Sequence, residues 1–150
     1  IRVNGLMPGV GSPVFSKLDA ELAKAMMGVN AVKAVEIGAG ANVVSMRGSG
    51  NRDLMVKAGF LSNNSGGILG GISNGEDIDI YVSLKPTSSI SQKTTTVNKD
   101  NEEVDLQVKG RHDPCVGLRA APILEAMAAL CILDQVLLDK GQCFNVDRDS

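Results

Sequence analysis

The sequence predicts an α+β fold built on an antiparallel sheet. Three observations predict it. A helical apolar repeat lies near the N-terminus, and a longer one lies near the C-terminus. Between them run short apolar segments separated by glycine, serine and asparagine. The chain has 150 residues, 43% of them hydrophobic, which is one domain's worth of core.

Taken in order, residues 1–15 are turn-rich, with Pro8, Gly9, Gly11 and Pro13. Ser16 is placed to cap a helix over 17–28, with Asp19 and Glu21 in its first turn to complement the dipole. Leu18, Leu22, Ala25, Met26 and Val29 form its apolar face, and Gly28 fits its end. Val32, Val35 and Ile37 mark a strand over 31–37, and 41–46 reads as another short strand. Residues 47–75 are packed with Gly, Ser and Asn. The Asn74-Gly75 pair predicts a hairpin into a strand over 78–84, where Ile78, Ile80, Val82 and Leu84 share one face. A second hairpin is expected from 93–97 and 104–109 around Asn98 to Asn101. Pro122 suits a helix first turn, so the last helix is expected over 123–138, ended by Gly141. Ile123, Met127, Leu130, Cys131 and Leu137 form its broad face. It is apolar nearly all round from 126 to 133, which predicts burial between layers or at a subunit contact.

Composition narrows the function. A net charge of −2 argues against a nucleic-acid coat or a polybasic membrane binder, and 3% aromatic residues argue against a base-stacking surface. No apolar run is expected to reach the ~20 residues of a membrane span. The first residues, Ile1-Arg2-Val3-Asn4, lack the pattern of a signal peptide. Cys115, Cys131 and Cys143 form no C-x-x-C pair, and His112 is the single histidine, so a metal site or a disulfide framework is not expected. Unpaired thiols suit a reducing compartment.

Two constellations carry chemistry. Arg47, Arg52, Lys85, Arg111 and Arg119 sit among glycines, and Lys85-Pro86 is followed by the hydroxyls of Thr87, Ser88 and Ser89, the donors an anion or phosphate wants. Neither familiar glycine-rich nucleotide fingerprint is present, so a sheet edge with tightly packed glycines explains the same residues. The second constellation, Arg111-His112-Asp113 held between Gly110 and Pro114, is a dense ionisable cluster. On an extended stretch Arg111 and Asp113 share a face and His112 points away. A salt-bridged helix cap is the alternative.

The run from Arg111 through Asp113-Pro114-Cys115-Val116-Gly117-Leu118-Arg119-Ala120 to Met127 resembles the C-terminal signature of chorismate synthase. Blocks in the same order resemble that family elsewhere. They are Pro13-Val14-Phe15, Asn30-Ala31-Val32-Lys33, Arg47-Gly48-Ser49 with Asn51-Arg52-Asp53, Gly66-Gly67-Ile68-Leu69-Gly70-Gly71-Ile72-Ser73, and Lys85-Pro86-Thr87-Ser88-Ser89. The resemblance implies a β-α-β sandwich assembled as a homotetramer, cytoplasmic, in aromatic amino-acid biosynthesis. It implies a lyase that eliminates phosphate from 5-enolpyruvylshikimate 3-phosphate to give chorismate, dependent on reduced FMN (FMNH2). The family is also associated with NADPH. No metal, nucleic acid or membrane is implied.

Residue by residue, the resemblance makes Asp113 the catalytic carboxylate near flavin N5 and Arg111 a substrate-binding arginine. Asn30 and Ala31 become part of the flavin wall, and Lys85, Thr87, Ser88 and Ser89 become contacts of the flavin phosphate. Residues 47–53 and 62–67 are expected to be mobile loops that order over flavin. Family members are more than twice this long and carry two acid histidines in their N-terminal half. Residues 1–150 therefore correspond to the C-terminal portion of the enzyme, expected to be inactive alone. A non-catalytic flavin- or anion-binding module and a structural oligomerisation domain stand as alternatives, separated by a flavin titration.

Overall fold

The computed structural model describes residues 1–143. In chain order the elements are β1 (Arg2–Val3), α1 (Leu18–Met27), β2 (Val32–Ile37), a 3-10 helix (Gly40–Ser45), α2 (Gly48–Asn51), β3 (Met55–Val56), β4 (Gly59–Phe60), β5 (Ile68–Leu69), β6 (Ile72–Ser73), β7 (Ile78–Leu84), β8 (Thr94–Val97), β9 (Glu103–Leu106) and α3 (Gly117–Gln142). β7 is the centre of a three-stranded antiparallel sheet, with β1 on one side and β2 on the other. The pairs β3–β4, β5–β6 and β8–β9 are small antiparallel hairpins. The fold is α+β, as the sequence predicts.

The core lies between the sheet and two helices. Period-two alternation along β7 buries Ile78 and Ile80 fully, while Tyr81 and Ser83 face solvent. Leu18, Leu22 and Met26 recur at helical spacing on α1 and are fully buried against them, with Val32 of β2. α3 adds Ala120, Leu124 and Ala128 to the same cluster and packs along α1. Small residues on that stripe let the two helices approach closely.

Several sequence expectations are corrected. Ser16 does not cap α1. Its backbone is left-handed, with φ +57°, and Lys17 takes the N-cap position. The Leu18 N–H, one of the donors a cap would serve, instead reaches the Gly71 carbonyl at 2.9 Å. Residues 41–46 form no strand. The Ala41 N–H donates to the Glu36 carboxylate at 3.1 Å, which curls the chain into the 3-10 helix. Asn74-Gly75 is not the hairpin turn. The two-residue turn is Gly70-Gly71, with φ +61° and +86°, joining β5 to β6. Asn74 instead accepts the Glu76 N–H through its side chain at 3.0 Å.

α3 also begins earlier and runs further than expected. The Val116 carbonyl accepts the Ala120 N–H at 3.0 Å, so the helix starts at Gly117, leaving Pro122 inside it and Gly141 short of its end. Its buried stripe runs through Ala120, Leu124 and Ala128, whereas Ile123 and Leu130 of the expected face are 50% and 64% exposed. By length and composition alone α3 is long and apolar enough to cross a membrane, contrary to the sequence expectation, because its charges are too widely spaced to interrupt the apolar run.

Glycines 38 and 66 bring the long loop against the sheet. Both have left-handed φ, +62° and +63°, and their backbones cross in contact. The Ala39 N–H donates to the Asn64 carbonyl at 2.8 Å across this crossing. The β8–β9 hairpin, by contrast, is exposed along both strands. It is closed at its tip by Asn98, whose side chain accepts the Asp100 and Glu102 N–H groups at 2.9 Å.

Candidate functional site: a groove mouth joined from three segments

A groove of about 840 Å³ runs between α1 and α3. Much of its lining is apolar, including Ala25, Val29, Leu84, Ile123 and Met127; one end, its mouth, carries Asn30, Asp113 and Arg119, and Glu21, Lys24, Asp134 and Gln135 line it further along the two helices. Cys131 also lines it. Burial pushes that thiol up, as do the Glu21 and Asp134 carboxylates, against an opposing effect of Lys24. Cys115, Cys131 and Cys143 are all free. Among the described residues no group of three or more His, Cys, Asp or Glu side chains is placed to hold a metal ion.

Local backbone hydrogen bonding brings the sequence-predicted residues together. β2 starts irregularly. Ala31 has φ +74°, a strained value for a residue with a Cβ, and the register against β7 shifts between Val32 and Ala34. The Ala31 carbonyl accepts the Lys85 N–H at 2.8 Å, so Asn30-Ala31 lies beside the end of β7. Two residues past Lys85, the Thr87 hydroxyl donates to the Asp113 carbonyl at 3.2 Å. Segments 30–31, 85–89 and 111–113, far apart in sequence, thus meet at one place.

The surroundings of the expected site residues differ. Asp113 is half-buried at the groove mouth, and its carboxylate lies 3.5 Å from Arg119 Nη1. Arg111 is exposed and does not line the groove, so it shares no face with Asp113 there. His112 lies between them, half-buried, and its Nε2 is buried without a hydrogen-bond partner among the described residues. The Thr87 hydroxyl, donated to the Asp113 carbonyl, links the two segments. Lys85, Ser88 and Ser89 are exposed on the same segment.

Sequence reasoning counted Arg119 only among the cations of an anion-binding constellation, not as a partner of Asp113, and it missed how Asp53 organises the loops. The Asp53 carboxylate accepts hydrogen bonds from the Ser62 hydroxyl at 2.6 Å and from the Asn64 and Ser65 N–H groups at 2.8 Å. Partial burial pushes this carboxyl up. The bonds from Ser62, Ser65 and Asn64 outweigh it and bring it from the ordinary 3.8 down to about 2. Asn63 extends the network, donating to the Asp77 carbonyl at 2.8 Å and accepting the Gly67 N–H at 2.7 Å. The stretches expected to be mobile loops are therefore tied to each other and to the sheet. A lone acid facing Ser62-Asn63-Asn64-Ser65 was the available signal.

The chain matches the chorismate synthase family over residues 1–137 and belongs to that family. It is similar to a solved structure described as "Crystal Structure of Chorismate Synthase", with a TM-score of 0.69 and 29% sequence identity. The likeness covers 93% of this chain and 36% of that one, so this chain spans about a third of its relative's length.

Proposed function

We propose that residues 1–150 are the C-terminal portion of a chorismate synthase and supply part of its flavin and substrate site. The reaction is the anti-1,4-elimination of phosphate from 5-enolpyruvylshikimate 3-phosphate, the last common step of the shikimate pathway, in a cytoplasmic homotetramer. The observation that carries this reading is the joining of segments 30–31, 85–89 and 111–113 beside one apolar groove, to which they contribute Asn30 and Asp113. A flat ring with polar edges suits an apolar floor with Asn30 and Asp113 at its rim.

Reduced FMN, when bound, supplies electron density to the breaking C–O bond with no net redox change. Asn30 and Ala31 would wall its ring, Lys85 would offset the charge of its phosphate, and the Ser88 and Ser89 hydroxyls would donate hydrogen bonds to it. Arg111, exposed and free to fork onto a carboxylate, pairs with the substrate's carboxylates. Asp113 accepts or relays the proton the substrate loses. Pro114 restricts the Asp113 backbone to extended conformations, and Thr87 pins its carbonyl, so the carboxylate is aimed before ligand arrives. The apolar exposed side of α3, including Leu118 at 77% exposure, faces protein in the assembly.

The test is Asp113→Asn in an active chorismate synthase containing these residues. Asn keeps size and hydrogen bonding but loses basicity, so single-turnover rates should fall roughly 10²- to 10⁴-fold while FMN and substrate still bind. A near-normal rate would remove Asp113 from the chemistry.

A further inference from the structure

We propose that Arg119 is a positioning residue for Asp113, fixing the direction of its carboxylate at the groove mouth. The role rests on the reading of Asp113 given above. Arg119 lies in the first turn of α3, where its N–H bonds the Val116 carbonyl at 3.2 Å. That turn folds the side chain back over the segment preceding the helix and leaves Nη1 3.5 Å from Asp113 Oδ2.

A cation in this place needs a reason. The first turn of a helix carries the positive end of its dipole, so an arginine there is repelled by its own helix, and this first turn holds no acidic residue to offset it. The compensating charge is Asp113, outside the helix. Nor does the pair serve as cement. The two side chains are 79% and 41% exposed, and pairs so exposed add little to stability. A locally unfavourable residue with no stabilising return is a mark of function.

Geometry supplies the function. The Asp113 carbonyl is held by Thr87, and Pro114, which follows it, narrows the Asp113 backbone, which leaves side-chain rotation as a main freedom. A planar guanidinium that is always charged biases that rotation toward one direction while staying beside the groove. The guanidinium transfers no proton. It acts through the carboxylate.

The experiment uses Arg119→Gln, Arg119→Lys, Asp113→Asn and the double variant Arg119→Gln with Asp113→Asn, in an active chorismate synthase containing these residues. Arg119→Gln should fold normally, keep its FMN and substrate dissociation constants, and lose roughly 10- to 100-fold in single-turnover rate, the scale of a misaimed group. Arg119→Lys should recover part of the loss. Adding Arg119→Gln to Asp113→Asn should cost nothing further, whereas a purely structural role would give the same loss in both backgrounds. Without flavin or turnover, the Asp113 carboxyl carbon NMR resonance should move in Arg119→Gln. Additive losses, an unmoved resonance, or weakened substrate binding at an unchanged rate would each overturn the positioning role. If Asp113→Asn is slow while Arg119→Gln runs at the normal rate, the positioning role alone fails. If Asp113→Asn itself turns over normally, the reading of Asp113 fails and takes this role with it.

Discussion

Replacing Gly66 with alanine tests the crossing that seats the long loop on the sheet. A Cβ at Gly66 would lie 2.5 Å from Gly38 Cα and 2.9 Å from Ile37 Cγ2, and the first of these is backbone that cannot rotate away. The backbone at Gly66 has φ +63°, which costs a residue with a side chain about 1–2 kcal/mol. Forcing an extra carbon into a filled space costs about 1–3 kcal/mol more. The sum is about 2–5 kcal/mol, a drop in Tm of roughly 5–15 °C for a domain of this size. Thermal unfolding followed by circular dichroism measures it. Gly48→Ala is the internal control, because a Cβ there meets nothing within 4 Å and the residue is already helical. That variant should stay within about 0.5 kcal/mol of the parent. A Gly66→Ala protein as stable as the Gly48→Ala control would refute the crossing as a rigid contact.

Three further outcomes are expected. The Asp53 carboxyl is held at about 2 against an ordinary 3.8, so its contribution is complete above about pH 4 and vanishes as pH falls through 2. Asp53→Asn should therefore unfold at lower urea than the parent at pH 5 and lose that difference by about pH 2, and an equal gap at both pH values would contradict the loop network. In an active enzyme containing these residues, Lys85→Ala should weaken FMN more than riboflavin, which has no phosphate; equal weakening assigns Lys85 to packing. Arg111→Lys should raise the substrate dissociation constant well above any change for flavin, because a point charge does not replace a planar fork. An unchanged substrate constant places Arg111 outside the site.

What the sequence shows and what it hides divide along the range of the interaction. The alternation of Ile78, Ile80, Val82 and Leu84 and the helical spacing of Leu18, Leu22 and Met26 are visible because burial follows each element's own period. Ser16 misleads because the donor it would serve is taken by Gly71, far along the chain. Asn74-Gly75 misleads because Gly70-Gly71 offers the same left-handed geometry and wins the turn. The buried stripe of α3 is hidden because the helix is apolar on every side, so only its neighbours select Ala120, Leu124 and Ala128 over Ile123 and Leu130. At the site, the signature residues are legible one at a time. Their joining, through Ala31 to Lys85 and Thr87 to Asp113, is tertiary hydrogen bonding that no periodicity encodes.

The strand pair between Thr87 and Asp113 has a practical consequence. The polypeptide leaves the groove mouth at Thr87 and returns to it at Asp113, where a single 3.2 Å hydrogen bond joins the two ends. Whatever is threaded between them hangs outward, with its tip at Asn98 to Asn101 in solvent. Doubling the length of such an excursion adds only about 0.6 kcal/mol of closure entropy. The tip of the β8–β9 hairpin, away from Ser88, Ser89 and Arg111, is therefore where an epitope or a fluorescent reporter can be spliced in while the groove keeps its shape.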